Sequence, residues 1–225
     1  MAKKEKVESI EIIESPEALQ QEVSKVTELV DKNKSSIATI LGGLVLVIAA
    51  YFGYQWSTAT QDAEGEKKLF KAVYAFESDS SAAAVKELTK VSDEFGGNTQ
   101  NLADLYLGIT LLKQGKFDQS IEKLKNFSSS DLLVQARAYS LIGDAYSEKK
   151  SLSDAIDYYK KAAEQKPNKF FTPMYLLKLA NAYEANKQSK EAIDTYSILV
   201  EKYGQSAESI PAKKYKAILE SSISE

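Results

Sequence analysis

Three times between residues 107 and 204 this chain repeats one pattern of small and bulky residues, and a repeat of that length leaves few architectures open. Leu107-Gly108 precedes Leu111, Gly115, Phe117, Ile121 and Leu124. About 35 residues later Ile142-Gly143 precedes Tyr146, Leu152, Ala155, Ile156, Tyr159, Ala162 and Pro167. A third copy places Leu179-Ala180, Tyr183, Ala192, Ile193, Tyr196 and Gly204 at the same offsets. The spacing is helical and strand signals are nearly absent. Small residues at Gly108, Gly143 and Ala180 mark where paired helices come closest, with Ala155 and Ala192 facing them. Tyr146, Tyr159, Tyr183 and Tyr196 should fill the space between successive units, so much of the total of 13 tyrosines reads as core. A degenerate copy (Ala72, Ala84, Val85, Leu88, Val91, Gly96) precedes these and lacks the large aromatic of its first helix. Pro211 to Ile223 reads as a closing helix with Tyr215, Ile218 and Leu219 inward, since the end unit of an open array is atypical.

These residues resemble the tetratricopeptide repeat, whose unit is two antiparallel helices. The resemblance implies an all-α superhelix of roughly nine helices from about Gln61 to Ile223, with an inner face lined by the first helix of each pair. Carried over residue by residue, the groove positions are Leu69, Val73, Phe76, Leu102, Leu105, Ile109 and Leu112 in the first two units. In the next two they are Arg137, Ser140, Asp144, Ser147, Met174, Leu177, Asn181 and Glu184. An apolar half followed by a polar half suits an extended or helical segment of another protein. The alternative is that neighbouring helices fill the apolar half.

Upstream, Ile37 to Trp56 contains no charged residue, although the mean hydropathy of the chain is only −0.32. Twenty such residues are enough to span a bilayer core, and Tyr51, Tyr54 and Trp56 are the aromatic types that settle at its interface. The span is expected to be an uncleaved transmembrane helix over 37–56. Lys25, Lys32 and Lys34 before it, against a first following cation at Lys67, place the N-terminus in the cytoplasm and residues 57–225 outside it. In a bacterium that is an inner-membrane, single-pass protein with a periplasmic domain. Ala38, Gly42, Ala49 and Gly53 form a small-residue face of the kind that packs against another membrane helix, or they are incidental composition.

Residues 1–36 form the expected cytoplasmic arm. Val7 to Glu14 is short, β-branched and strand-like. Ser15-Pro16-Glu17 resembles a helix start, and Leu19, Val23, Val26 and Val30 then make one apolar seam. A seam that short needs something to pack against, so the arm reads as a docking segment or a frayed tether. A polar neck from Ser57 should join the span to the array.

The chain has no Cys and no His, which removes thiol and imidazole chemistry and the commonest zinc ligands. A net charge of −3 gives no basic stripe for nucleic acid. No phosphate-binding loop is present, because Gly42-Gly43 lies in the apolar span and Gly96-Gly97 lacks the flanking Lys pattern. The expectation is a non-enzyme without cofactor, metal or small-molecule substrate.

The order of parts, a short acidic arm, one anchor and a tetratricopeptide array, is similar to the YfgM family, ancillary subunits of the bacterial SecYEG translocon. That resemblance implies association with SecYEG and a PpiD-like membrane-anchored chaperone, and a role in passing emerging polypeptides onward. The rival readings are an envelope organiser tied to cell-division or Tol-Pal machinery, and a regulator whose arm holds a cytoplasmic signalling protein.

Overall fold

The computed structural model describes residues 16–78 and 81–223. Val7 to Glu14, expected as a strand-like segment, lies outside the described residues. Those described form ten helices and no strand: α1 (Pro16–Lys32), α2 (Lys34–Glu77), α3 (Ser81–Glu94), α4 (Gly97–Lys113), α5 (Phe117–Asn126), α6 (Leu132–Glu148), α7 (Leu152–Gln165), α8 (Thr172–Ala185), α9 (Ser189–Lys202) and α10 (Ser209–Ile223). They divide into two compact units, Met1–Thr60 and Gln61–Glu225.

In the second unit, residues 61–77 of α2 pair with α3, α4 with α5, α6 with α7 and α8 with α9, and α10 closes the array. Small residues set the pairings, as the spacing predicts. A Cβ on Gly108 would lie 2.6 Å from Leu124 Cγ, and one on Gly143 would lie 2.6 Å from Tyr159 Cδ1. Ala72, Ala84, Ala155, Ala180 and Ala192 are fully buried at the equivalent positions. Where α5 carries Ser120 in place of that alanine, its hydroxyl donates to Gly108 O at 2.7 Å, which satisfies the one polar atom the substitution buries. The degenerate first unit fills the gap left by its missing aromatic from elsewhere: Phe76 meets Tyr106 edge-on at 5.4 Å, and Phe95 packs over Gly65.

The turn inside each of the last three pairs is the same object. Gly115, Lys150 and Lys187 adopt φ of 73°, 63° and 61°. Each is followed by a residue whose N–H reaches back five residues at 2.9 Å: Lys116 to Leu111 O, Ser151 to Tyr146 O, Gln188 to Tyr183 O. This is the Schellman closure of a helix C-terminus, which satisfies carbonyls that the helix leaves free. Asp131 caps α6, its Oδ1 accepting from Leu133 N at 2.8 Å.

Two expectations are corrected. The closing helix starts at Ser209, and its inward residues are Ser209, Ala212 and the half-buried Leu219. Tyr215 and Ile218 are 38% and 51% exposed. The helix sits in the register of a first helix, and among the described residues none covers Ile218; Tyr215 lies against Tyr196 at 6.0 Å between centroids. The polar neck from Ser57 is helical and lies within α2. Finally, the transmembrane helix over 37–56 is not found as a separate element: it is part of α2, and among the described residues no helix is long and apolar enough to cross a membrane. The side chains of Ile37, Leu41 and residues 54–56 lie outside that description.

Candidate protein-binding surface

The groove positions expected from the repeat register lie on residues 61–77 of α2 and on α4, α6 and α8. Of their apolar members, Leu69 is buried, and Val73, Phe76, Leu102, Leu105, Ile109 and Leu112 are half-buried. Val73, Phe76 and Leu102 pack against the core of the first pair, and Leu105, Ile109 and Leu112 against Ile121, Leu124 and Ile142. Lys113 sits over the Phe76 ring at 4.8 Å and gives this half a cation beside an aromatic face.

The polar half follows from one substitution in the second helix of each pair. Leu124 occupies the close-contact position in α5, and the residue it faces across the pair is the apolar stretch around Gly108. In α7 and α9 that position is Tyr159 and Tyr196, whose hydroxyls need partners once their rings are buried. Tyr159 donates to Asp144 Oδ1 at 2.8 Å, and Tyr196 to Asn181 Oδ1 at 2.7 Å and Glu184 Oε2 at 3.2 Å. Burial pushes both phenols up from their ordinary value, and the Asp144 and Glu184 carboxylates push them further by opposing a second negative charge. Lys178 closes the network between units, donating to both Asp144 oxygens at 2.8 and 2.7 Å and to Ser140 Oγ at 3.3 Å.

Ser140 is therefore buried beneath this ion pair, whereas Arg137, Asn181 and Glu184 are exposed. Leu112 and Asp144 come together in a cavity of about 390 Å³ that Ser147, Glu148, Phe117 and Tyr159 also line. This is where the apolar and polar halves meet.

Sequence reasoning missed Lys178 and a second buried network. Asp104, 3% exposed, accepts from Ser92 Oγ at 2.7 Å and pairs with Lys123 at 3.0 Å. Its one sequence signal is an acid at a position where the next two units carry Tyr139 and Leu176. Among the described residues no cluster of three or more acids could hold a metal ion.

In the first unit, Ala38, Gly42, Ala49 and Gly53 are all exposed, and a Cβ on Gly42 or Gly53 would meet nothing within 4 Å. Val23 and Val30 of the arm seam are 61% and 41% exposed, while the side chains of Leu19 and Val26 lie outside the described residues. Along α2, Ile40, Leu44, Val45, Leu46, Val47, Ile48, Tyr51 and Phe52 are exposed on every side of the helix.

Two family models, both described as tetratricopeptide repeat, match residues 105–170 and 175–206. No curated protein matches the chain. Among solved structures it is similar to MamA (41-end) from Desulfovibrio magneticus RS-1, with a TM-score of 0.54 at 21% identity over 61% of this chain and 74% of that one. It is also similar to a Podospora anserina putative kinesin light chain with nearly identical TPR-like repeats, with a TM-score of 0.57 at 14% identity over 68% and 84%. Residues 105–170 and 175–206 are tetratricopeptide repeats within an all-helical array, an architecture whose concave faces bind proteins.

Proposed function

We propose that this protein is a membrane-tethered scaffold, an accessory subunit of the Sec translocon that holds a polypeptide partner on its inner face and works with a PpiD-like chaperone. Among the described residues no helix is long and apolar enough to cross a membrane, and the tether rests on α2 leaving eight large apolar side chains from Ile40 to Phe52 exposed around its circumference. Burying one such side chain stabilises by about 1.5–3 kcal/mol, a gain that these eight forgo in water, and a contiguous apolar surface of this size marks an interaction surface. A lipid environment removes that cost. Lys25, Lys32 and Lys34 on one flank support a cytoplasmic arm and a periplasmic array, and the small-residue face would pack on another membrane subunit. The translocon assignment adds the order of parts, an acidic arm, an anchor and a repeat array.

Affinity purification of the full chain from native membranes is expected to recover translocon and chaperone subunits. Recovery of only cell-division or Tol-Pal proteins would overturn the translocon role while keeping the scaffold. Protease added to spheroplasts should degrade residues 57–225 and spare 1–36; the opposite pattern overturns the topology.

A further inference from the structure

The turn between α7 and α8 is constructed to keep an aromatic ring in solvent. Asn168 Oδ1 accepts from the N–H of Phe170 at 3.0 Å and of Phe171 at 2.8 Å. Asn168 Nδ2 donates to Lys166 O at 2.9 Å, and Asn168 N–H donates to Thr172 Oγ1 at 2.8 Å. Thr172 is buried, so the turn is pinned to the core at its far side. At its tip Phe170 is 86% exposed, and Phe171 beside it is 45% exposed. These hydrogen bonds fix the backbone at Phe170 while its ring stands in solvent, where it is available to a surface outside the chain.

The surroundings say what kind of surface that is. Lys166 and Lys169 flank the ring, both exposed, and among the described residues neither meets a carboxylate. Lys160 to Phe171 holds four lysines and one glutamate, against the net negative charge of the whole chain. A cavity of about 340 Å³ between α7, α8 and α9 adjoins the turn, lined by the apolar Ala163, Pro167, Leu176 and Ile198 together with Lys160, Lys202 and Glu164.

We infer that this turn is a lipid-contact point, which sets Phe170 into the headgroup boundary of an anionic bilayer with Lys166 and Lys169 on its phosphates. The inference rests on the membrane-tethered reading. A protein partner would need a socket matched to one protruding ring. The headgroup boundary accepts an aromatic ring without matched shape, and its negative potential attracts flanking lysines. The adjoining cavity adds apolar surface beside the ring, with two lysines and one glutamate among its lining residues.

Trp56 is the sole tryptophan, so indole fluorescence separates this inference from the tether. The full chain is reconstituted into vesicles of brominated phosphatidylcholine, alone or mixed with brominated phosphatidylglycerol. In the native chain, quenching of Trp56 reports the tether. In the Trp56→Phe, Phe170→Trp variant, the introduced indole is expected to shift to the blue and be quenched only when phosphatidylglycerol is present. Adding Lys166→Ala and Lys169→Ala should raise the phosphatidylglycerol fraction needed for half-maximal quenching roughly threefold or more. An introduced indole that stays unquenched while native Trp56 is quenched overturns the lipid contact and leaves the tether standing. Quenching at the turn with an unquenched Trp56 supports the contact and removes the tether. Burial of the introduced indole only on adding a polypeptide overturns the contact in favour of a protein partner.

Discussion

Gly143 shows how little room a single position leaves. Its missing side chain is the space that the Tyr159 ring fills, and the ring is locked there by its bond to Asp144. Gly143→Ala puts a Cβ 2.6 Å from that ring, where the ring cannot turn aside without breaking the Tyr159 to Asp144 hydrogen bond. A loss of about 1–3 kcal/mol is expected, read as a fall in the urea midpoint. Gly143→Ala combined with Tyr159→Leu, the residue α5 uses against Gly108, should not recover it, because Leu124 crowds Gly108 as closely. The Gly and Ala contacts were legible in sequence because they recur at a fixed offset. Lys178 was not: its partner Asp144 is 34 residues away, and a cross-unit ion pair has no periodic mark.

Among the elements, the turns inside the last three pairs share one geometry, and they also hold a defect. Two of the three left-handed turn residues are lysines, Lys150 and Lys187, where Gly115 stands in the first. A residue with a Cβ pays roughly 1–2 kcal/mol to enter that region, and glycine does not. Lys150→Gly is expected to raise stability by about 0.5–1 kcal/mol in chemical denaturation, after the greater freedom of glycine in the unfolded chain is subtracted. Gly115→Lys should lower it by a similar amount. The closing helix α10 was misread at this scale. Apolar residues stand at several phases around it, so sequence alone admits more than one inward face, and only the position of α9 selects Ala212. The α7 to α8 turn was invisible for a related reason: Pro167 and Asn168 announce a turn, but not that its hydrogen bonds aim Phe170 outward.

Taken whole, the array should lose stability in base through its buried phenols. Tyr159, Tyr175 and Tyr196 are held above the ordinary phenol value, chiefly by burial, with Asp144 adding to the shift of Tyr159 and Glu184 to that of Tyr196. A raised folded value means the unfolded chain releases its protons first, so the contribution of these phenols is intact below about pH 10 and is lost above it, by up to about 1.4 kcal/mol per pH unit for each such group. Thermal unfolding between pH 8 and 11.5 is expected to show a flat region and then a decline. Tyr159→Phe with Tyr196→Phe should flatten the decline; an unchanged slope would show that these phenols do not couple to folding.

The three matching turns also have a meaning for how such a molecule changes size. Because Gly115, Lys150 and Lys187 close their helices with the same hydrogen bonds, they are equivalent splice points. A second copy of residues 151–187 pasted after Lys187 would begin and end on geometry the chain already uses. Duplication can therefore lengthen this protein by whole units without inventing a new joint, and the length of its inner face is a quantity that evolution or a designer can set by counting.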